Sequence, residues 1–381
     1  YSVTGVQTCA LPISRERILQ AVRHKPTDRL PIDLGGTRQS GIAALAYARL
    51  RRQLRPDLNC PFKVFDVFQM LAEIEPEMAE HLPSDTVALN RSAVAFGIPN
   101  RDWKPWRLVD GTEVLVPGDF NPIRNASGDW ELQRAGVAIG QMPADGFYFD
   151  RLEKYPGALH PNLDSWSVPR LSDEELEHYA RTARDLYSNT DRAIIAALGP
   201  PYELFNGIGQ GGFEDWMMTF ASEPNYVADL YQILTDTWIE NLQLFHQAVG
   251  TRLQILQICD DFGTQRAPFL SVQMFRERLL PAYRRGLDWI HTHTPWKVML
   301  HSDGALYPLL PSIIEMGVDI LNPVQTSAAG MDAKRLKTEF GDRLVFWGGS
   351  CDPQTTLRSG TPDAVAAETR SNLEILSPGG G

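Results

Sequence analysis

Cysteine is scarce in this chain: four in 381 residues, Cys9, Cys60, Cys259 and Cys351, with no CxxC spacing. That excludes a disulfide framework and makes a reducing cytoplasm the expected setting. Long apolar runs are missing too, and none approaches the ~18 residues of a membrane span. Basic runs are absent from a chain whose formal net charge is -11, so neither nucleic acid nor an anionic membrane surface is an expected partner. The signatures GxSxG, HExxH and the Walker lysine loop do not occur. "GIGQGG" (Gly207–Gly212) lacks the GxGxxG spacing and follows "GPPYELFN" rather than a strand, so it reads as a loop.

What is present is rhythm. Short β-branched runs such as "AIIAALG" (Ala193–Gly199), "LQILQICDD" (Leu253–Asp261), "KVML", "DILNP" and "RLVFWGG" read as buried strands. Between them lie helical patterns over Tyr226–Val249, a stretch kinked or restarted near Pro281, Leu306–Met316, Asp332–Phe340 and Asp363–Leu376. Upstream, "RLPIDLGG" and "DTVALN" supply two more candidate strands, with helical patterns at Ile42–Leu54 and Val67–Leu82. "SDEE" (Ser172–Glu175) is a capping box opening a further helix. Seven strands, near 31, 86, 194, 254, 298, 320 and 345, alternate with helices and predict right-handed βαβ units.

The expected fold is α/β, a (β/α)8 TIM barrel truncated before its eighth strand. An open doubly wound sheet is the alternative, but "GGTRQSG" does not match its phosphate loop. Turn signals such as "NASGD" predict a β-hairpin insertion after the second strand, over about residues 91–150. One barrel domain is expected over 14–381. Tyr1 to Ile13 reads like a translated sequencing-library adaptor and is set apart from the fold. The chain stops at the turn "SPGGG", the pattern of a fragment of a metagenomic gene.

In such a barrel the chemistry sits just past the carboxyl ends of the strands. The polar residues there are Asp33, Arg38 and Gln39, then Cys259, Asp260 and Asp261, then His301 and Asp303, Asn322 and Gln325, and finally Cys351 and Asp352. His301 and Asp303 are two apart, so a strand would put both on one face. An imidazole and a carboxylate so placed can share a divalent ion or act as base and orienter. Equally, Asp303-Gly304 can be a turn that only closes the strand. Asp260 and Asp261 must point oppositely, so at most one faces the mouth. Cys351 is a candidate soft ligand or a small buried hydrophobe. Arg38 could clamp a carboxylate bidentately.

The stretches "RHKPTDRLPIDLGG", "GPPYEL", "QICDDFG", "MFRERLLPAYRR", "HSDGALYPLLPSIIEMGVDILNPVQ" and "GGSCDPQTTLRSGTPDAV" resemble the uroporphyrinogen decarboxylase superfamily over essentially everything after residue 14. That resemblance implies either the haem-pathway decarboxylase or a zinc-dependent methyltransferase serving corrinoid proteins. The decarboxylase carries Arg-Gln-Ala-Gly-Arg; here Arg38-Gln39-Ser40-Gly41 is followed by Ile42 in place of the second arginine. Its catalytic aspartate falls at Asn90-Arg91-Ser92, its tyrosine near Asn206-Gly207, and its Asp-Ser pair at Asp260-Asp261. The methyltransferases carry His-x-Cys at the end of the fifth strand and a further cysteine after the eighth. His301 matches that pattern, and Asp303 replaces the cysteine.

The resemblance therefore implies a methyltransferase-like enzyme moving a methyl group between a small molecule and a corrinoid or thiol. Its catalytic residues would be Asp261, His301 and Asp303, with zinc held by His301, Asp303 and Cys351. Arg38, Gln39, Asp260, Gln265, Asn322 and Gln325 would contact substrate. The expected partners are a small molecule or a corrinoid protein, with methylcobalamin as a substrate, and the expected assembly is a homodimer. The alternatives are the decarboxylase itself and a non-catalytic corrinoid- or tetrapyrrole-binding barrel.

Overall fold

The computed structural model describes residues 12–152, 160–201, 205 and 212–381. Six strands form one parallel sheet in chain order: β1 (Thr86–Ala88), β2 (Ala193–Ala197), β3 (Ile255–Cys259), β4 (Lys297–His301), β5 (Ile320–Asn322) and β6 (Val345–Phe346). Alternation sorts their side chains between two cores. Ile195, Ile255, Met299, Ile320 and Val345 face inward, with Ile18 of the helix Ser14–Ala21 and Val22 just after it packed among them. Ile194, Leu256, Val298, Leu300 and Leu321 face the helices. Burial on both faces is why these strands read as continuous apolar runs.

The helix Pro224–Val249 presents Val227, Leu230, Leu234, Trp238, Leu242, Phe245 and Val249, a three-and-four spaced stripe, to that outer core. Leu280–His293 packs beside it so tightly that a Cβ on Gly286 would lie 2.0 Å from Trp238. The restart expected near Pro281 takes the form of a π-turn over Phe275–Leu279. A proline there cannot donate into the helical ladder, and the ladder opens by one residue. Ser172 caps the helix Asp173–Asn189 through the N–H of Glu175.

Two expected elements are corrected. No strand forms near residue 31. Pro31 has no N–H to give a ladder, and the N–H of Ile32 goes instead to the Asp85 carboxylate at 2.9 Å. The segment still lies alongside the start of β1, because Asp85 N–H donates to Ile32 O at 2.7 Å. Nor is Val67–Leu82 one helix. The Asp66 carboxylate takes the N–H groups of Phe68 and Gln69, the chain turns, and a two-residue strand, Leu71–Ala72, pairs with Phe62–Asp66 before the short helix Pro76–His81.

The remaining strands form two antiparallel-rich sheets. Phe62–Asp66 pairs parallel with Glu113–Val116, which pairs antiparallel with Lys104–Arg107. Ile123–Arg124, Trp130–Arg134, Val137–Met142 and Arg151–Leu152 form the second. This layer has its own core around Tyr47, Phe62, Val114, Phe120 and Phe149. The parallel sheet curls until both its ends meet Asp33: Thr86 Oγ1 donates to Asp33 Oδ1 at 2.6 Å and Trp347 Nε1 to Asp33 Oδ2 at 2.9 Å. The result is an α/β fold of the barrel type, with its strands' carboxyl ends converging on one mouth.

Candidate metal centre

Strand register builds the site. Cys259, His301 and Asn322 are direct neighbours across β3, β4 and β5. Each lies two residues beyond the inward layer of Gln257, Met299 and Ile320, so all three project into the mouth. His301 Nδ1 lies 2.8 Å from Asn322 Oδ1, while Asn322 Nδ2 donates to Trp347 O at 3.2 Å. The second bond fixes which amide atom faces the imidazole. Nδ1 therefore carries a proton, and Nε2 is turned toward the carboxylates.

Past β4 the chain makes a tight turn. Asp303 N–H donates to Asp261 Oδ1 at 2.8 Å, and Gly304 N–H to Gln325 Oε1 at 2.9 Å. Gly304 adopts φ 97°, and a Cβ there would sit 2.5 Å from the backbone of Gly263. Only glycine lets the two loops approach this closely. Ser302 turns away and accepts the N–H of Phe262 at 3.0 Å.

Asp261, His301 and Asp303 each offer a donor atom, and the three atoms lie within 4.8 Å of one another. His301 Nε2 is 3.9 Å from Asp303 Oδ2. Partial burial pushes the Asp303 carboxyl above its ordinary value; His301 pulls the other way, and the like charge on Asp261 adds to the rise. Two carboxylates and one imidazole, with the imidazole's outer nitrogen hydrogen-bonded, form a donor set that fits a divalent ion such as zinc.

The other expected residues are placed less uniformly. Asp260 points away from the mouth and is buried, accepting Phe205 N–H at 2.8 Å and Tyr283 Oη–H at 2.7 Å. It anchors a loop and a helix. Gln39 is at the mouth, its Nε2 3.5 Å from Cys259 Sγ. Arg38 Nε is engaged by the fully buried Asp66 at 2.5 Å. Gln325 is buried and holds the Gly304 turn, and Gln265 is exposed, with its carbonyl accepting Ala329 N–H.

Cys351 is not among the three clustered donors. Its Sγ lies 3.8 Å from Glu368 Oε2, and burial, then that carboxylate, pushes its thiol up. Asp352 is consumed capping a turn through Thr355, Gln354 and Ser327. Asn206-Gly207 and "GIGQG" fall outside the described residues. The residue whose role sequence reasoning missed is Asn322, expected on substrate and found orienting His301. Its only signal was its place at the end of the strand beside His301.

A family model described as uroporphyrinogen decarboxylase (URO-D) matches residues 154–381, well over half the chain. No curated protein matches. Among solved structures, the chain is similar to a methyltransferase from Methanosarcina mazei, at 17% identity and a TM-score of 0.56, over 95% of this chain and 90% of that one. At that identity the likeness speaks to the fold. No helix among the described residues is long and apolar enough to cross a membrane.

Proposed function

The chain belongs to the uroporphyrinogen decarboxylase family, and from that premise we propose that it is a methyltransferase-like enzyme whose site is the cluster of Asp261, His301 and Asp303. The methyl donor would be a methylated small molecule or a methyl-corrinoid, free or on a partner protein, and the acceptor a corrinoid or a thiol. The observation that supports this reading best is the convergence of three donor side chains at the carboxyl ends of adjacent strands, with the histidine oriented by Asn322.

Zinc held by Asp261, His301 and Asp303 would supply Lewis acidity that favours the thiolate over the thiol. The protein's own contribution is geometric. Asn322 holds the imidazole so that Nε2 points into the cluster. Asp261 and Gln325 hold the turn that presents Asp303. Burial and the neighbouring Asp261 carboxylate raise the Asp303 carboxyl in the metal-free site, so a proton and a divalent cation would compete for it. Gln39, beside Cys259 at the rim, would contact the substrate.

The test pairs zinc stoichiometry by equilibrium dialysis with methyl transfer from methylcobalamin to a thiol, followed spectrally. The intact protein should bind one zinc, and His301→Ala should lose both binding and transfer. Absence of zinc together with unchanged transfer in the variant sinks the proposal. Decarboxylation is the second reading, favoured by the description of the matching family. Against it, Arg38 is engaged by Asp66 and Ile42 stands where a second arginine would bind carboxylates. Release of the four-carboxylate product from uroporphyrinogen would establish that reading instead.

A further inference from the structure

The antiparallel layer holds a cleft of about 200 Å³, lined by none of the residues assigned above to the barrel mouth. Two half-buried indoles form its wall, Trp106 from Lys104–Arg107 and Trp130 from Trp130–Arg134, with ring centroids 4.8 Å apart and planes tilted by 54°. The Arg124 guanidinium lies 3.9 Å over the Trp130 ring. Arg107 supplies a second cation, Met142 is buried in the lining, and Phe147 is half exposed. No aspartate or glutamate lines the cleft, although the chain as a whole carries a net charge of -11.

These features select a ligand chemistry. Guanidinium groups pair with carboxylates in a planar, bidentate geometry, and indole faces take a flat ring edge-on or stacked. An apolar cavity of ~150 Å³ holds a benzene ring, so this volume suits one ring and its acid group. Arg107 is paired with Glu113 at 2.7 Å, but both side chains are exposed. Such pairs are weak, and a competing carboxylate displaces them at little cost. Arg124 donates from Nη1 to Gly128 O, a contact compatible with its place over Trp130.

We propose that this cleft is a second binding site, specific for a small planar aromatic carboxylate, with the ring against Trp106 and Trp130 and the acid on Arg107 and Arg124. The site is independent of the metal-centre reading. Isothermal titration of the full chain with benzoate, benzamide and acetate tests it. Benzoate should saturate, in the weak range that so small a ligand allows. Benzamide, which keeps the ring, and acetate, which keeps the charge, should each bind about tenfold more weakly.

The double variant Arg107→Gln with Arg124→Gln, both exposed residues, should weaken benzoate about tenfold and leave benzamide unchanged. Trp130→Leu should weaken both. His301→Ala should leave benzoate binding intact, which separates this cleft from the barrel mouth. Benzoate that fails to saturate, that binds equally well to the double arginine variant, or that is lost with His301→Ala overturns the proposal.

Discussion

The two ends of the parallel sheet carry acids in opposite circumstances. At the amino end Asp85 is fully buried between Arg17 and Arg29, each at 2.7 Å. Asp319, just before β5, accepts from Lys297 Nζ at 2.6 Å and Val298 N–H at 2.9 Å, and lies 2.9 Å from His291 Nε2. At the carboxyl end Asp261 and Asp303 face His301, and no lysine or arginine pairs with either among the described residues. The carboxyl groups respond accordingly. Burial alone would raise Asp319, but the bonds from His291, Lys297 and Val298 hold it below its usual 3.8. Asp303 is held above that value. Where the fold neutralises a carboxylate, that group ties strands and loops together; where it does not, the charge is available to a cation or a proton.

The largest effect expected from this contrast is at Asp85. Asp85→Ala strands the buried Arg17, which is 6% exposed, without one of its carboxylate partners. Removing one member of a buried pair costs about 3–5 kcal/mol, read as a fall in the urea midpoint. A loss within the ~0–1 kcal/mol of an exposed pair would erase the distinction between the two ends.

Asp319→Asn should cost less, about 1.5–3 kcal/mol at neutral pH, the range for bonds to a charged group. Its pH dependence carries a definite sign. A carboxyl lowered in the folded state stabilises fully above its unfolded value and loses that contribution as pH falls through the lowered one. Urea midpoints of the wild type and the variant should therefore converge in acid and diverge toward neutrality. Parallel curves would mean that the Asp319 charge does not hold β4 to β5.

Legibility in the sequence follows the same division. β2 and β3 could be read locally because both of their faces are buried and the apolar run is continuous. His301, Asp303 and Asp261 could be picked out because each follows the end of such a run. What could not be read depends on partners distant in the chain. Ile32 looks like a strand residue until Asp85, 53 residues on, takes its N–H. Phe62–Asp66 becomes a strand by pairing with Glu113–Val116, across a stretch with no local signal linking them. Asn322 meets His301 through register, and Cys351 meets Glu368 through the folding back of Pro362–Leu376. Spacing along the chain encodes none of these meetings.

At the carboxyl end the smaller effects are the more discriminating. Asn322→Ala removes the acceptor of the His301 Nδ1 proton and leaves the three donors in place. Loss of such an outer partner weakens metal affinity about 10- to 100-fold. Zinc titration should show that loss, with stoichiometry unchanged at saturation. An affinity equal to wild type would mean that His301 is oriented by packing alone.

Asp303→Asn should change the metal-free fold least of all. At neutral pH the substitution removes a like charge facing Asp261, and it breaks no lysine or arginine pair. It also keeps the backbone N–H that donates to Asp261. Metal-free stability should therefore stay within about 0.5 kcal/mol of wild type, or rise slightly. Zinc should raise the unfolding temperature of the wild type and fail to do so for the variant, because ligand binding to the folded state alone provides that shift. A carboxylate that is dispensable to the fold and indispensable to the zinc-induced shift is what separates this end of the sheet from the end held by Asp85. If Asp303→Asn instead destabilised the metal-free protein as Asp85→Ala does, the acids at both ends would serve the fold, and His301 would be left without a functional partner.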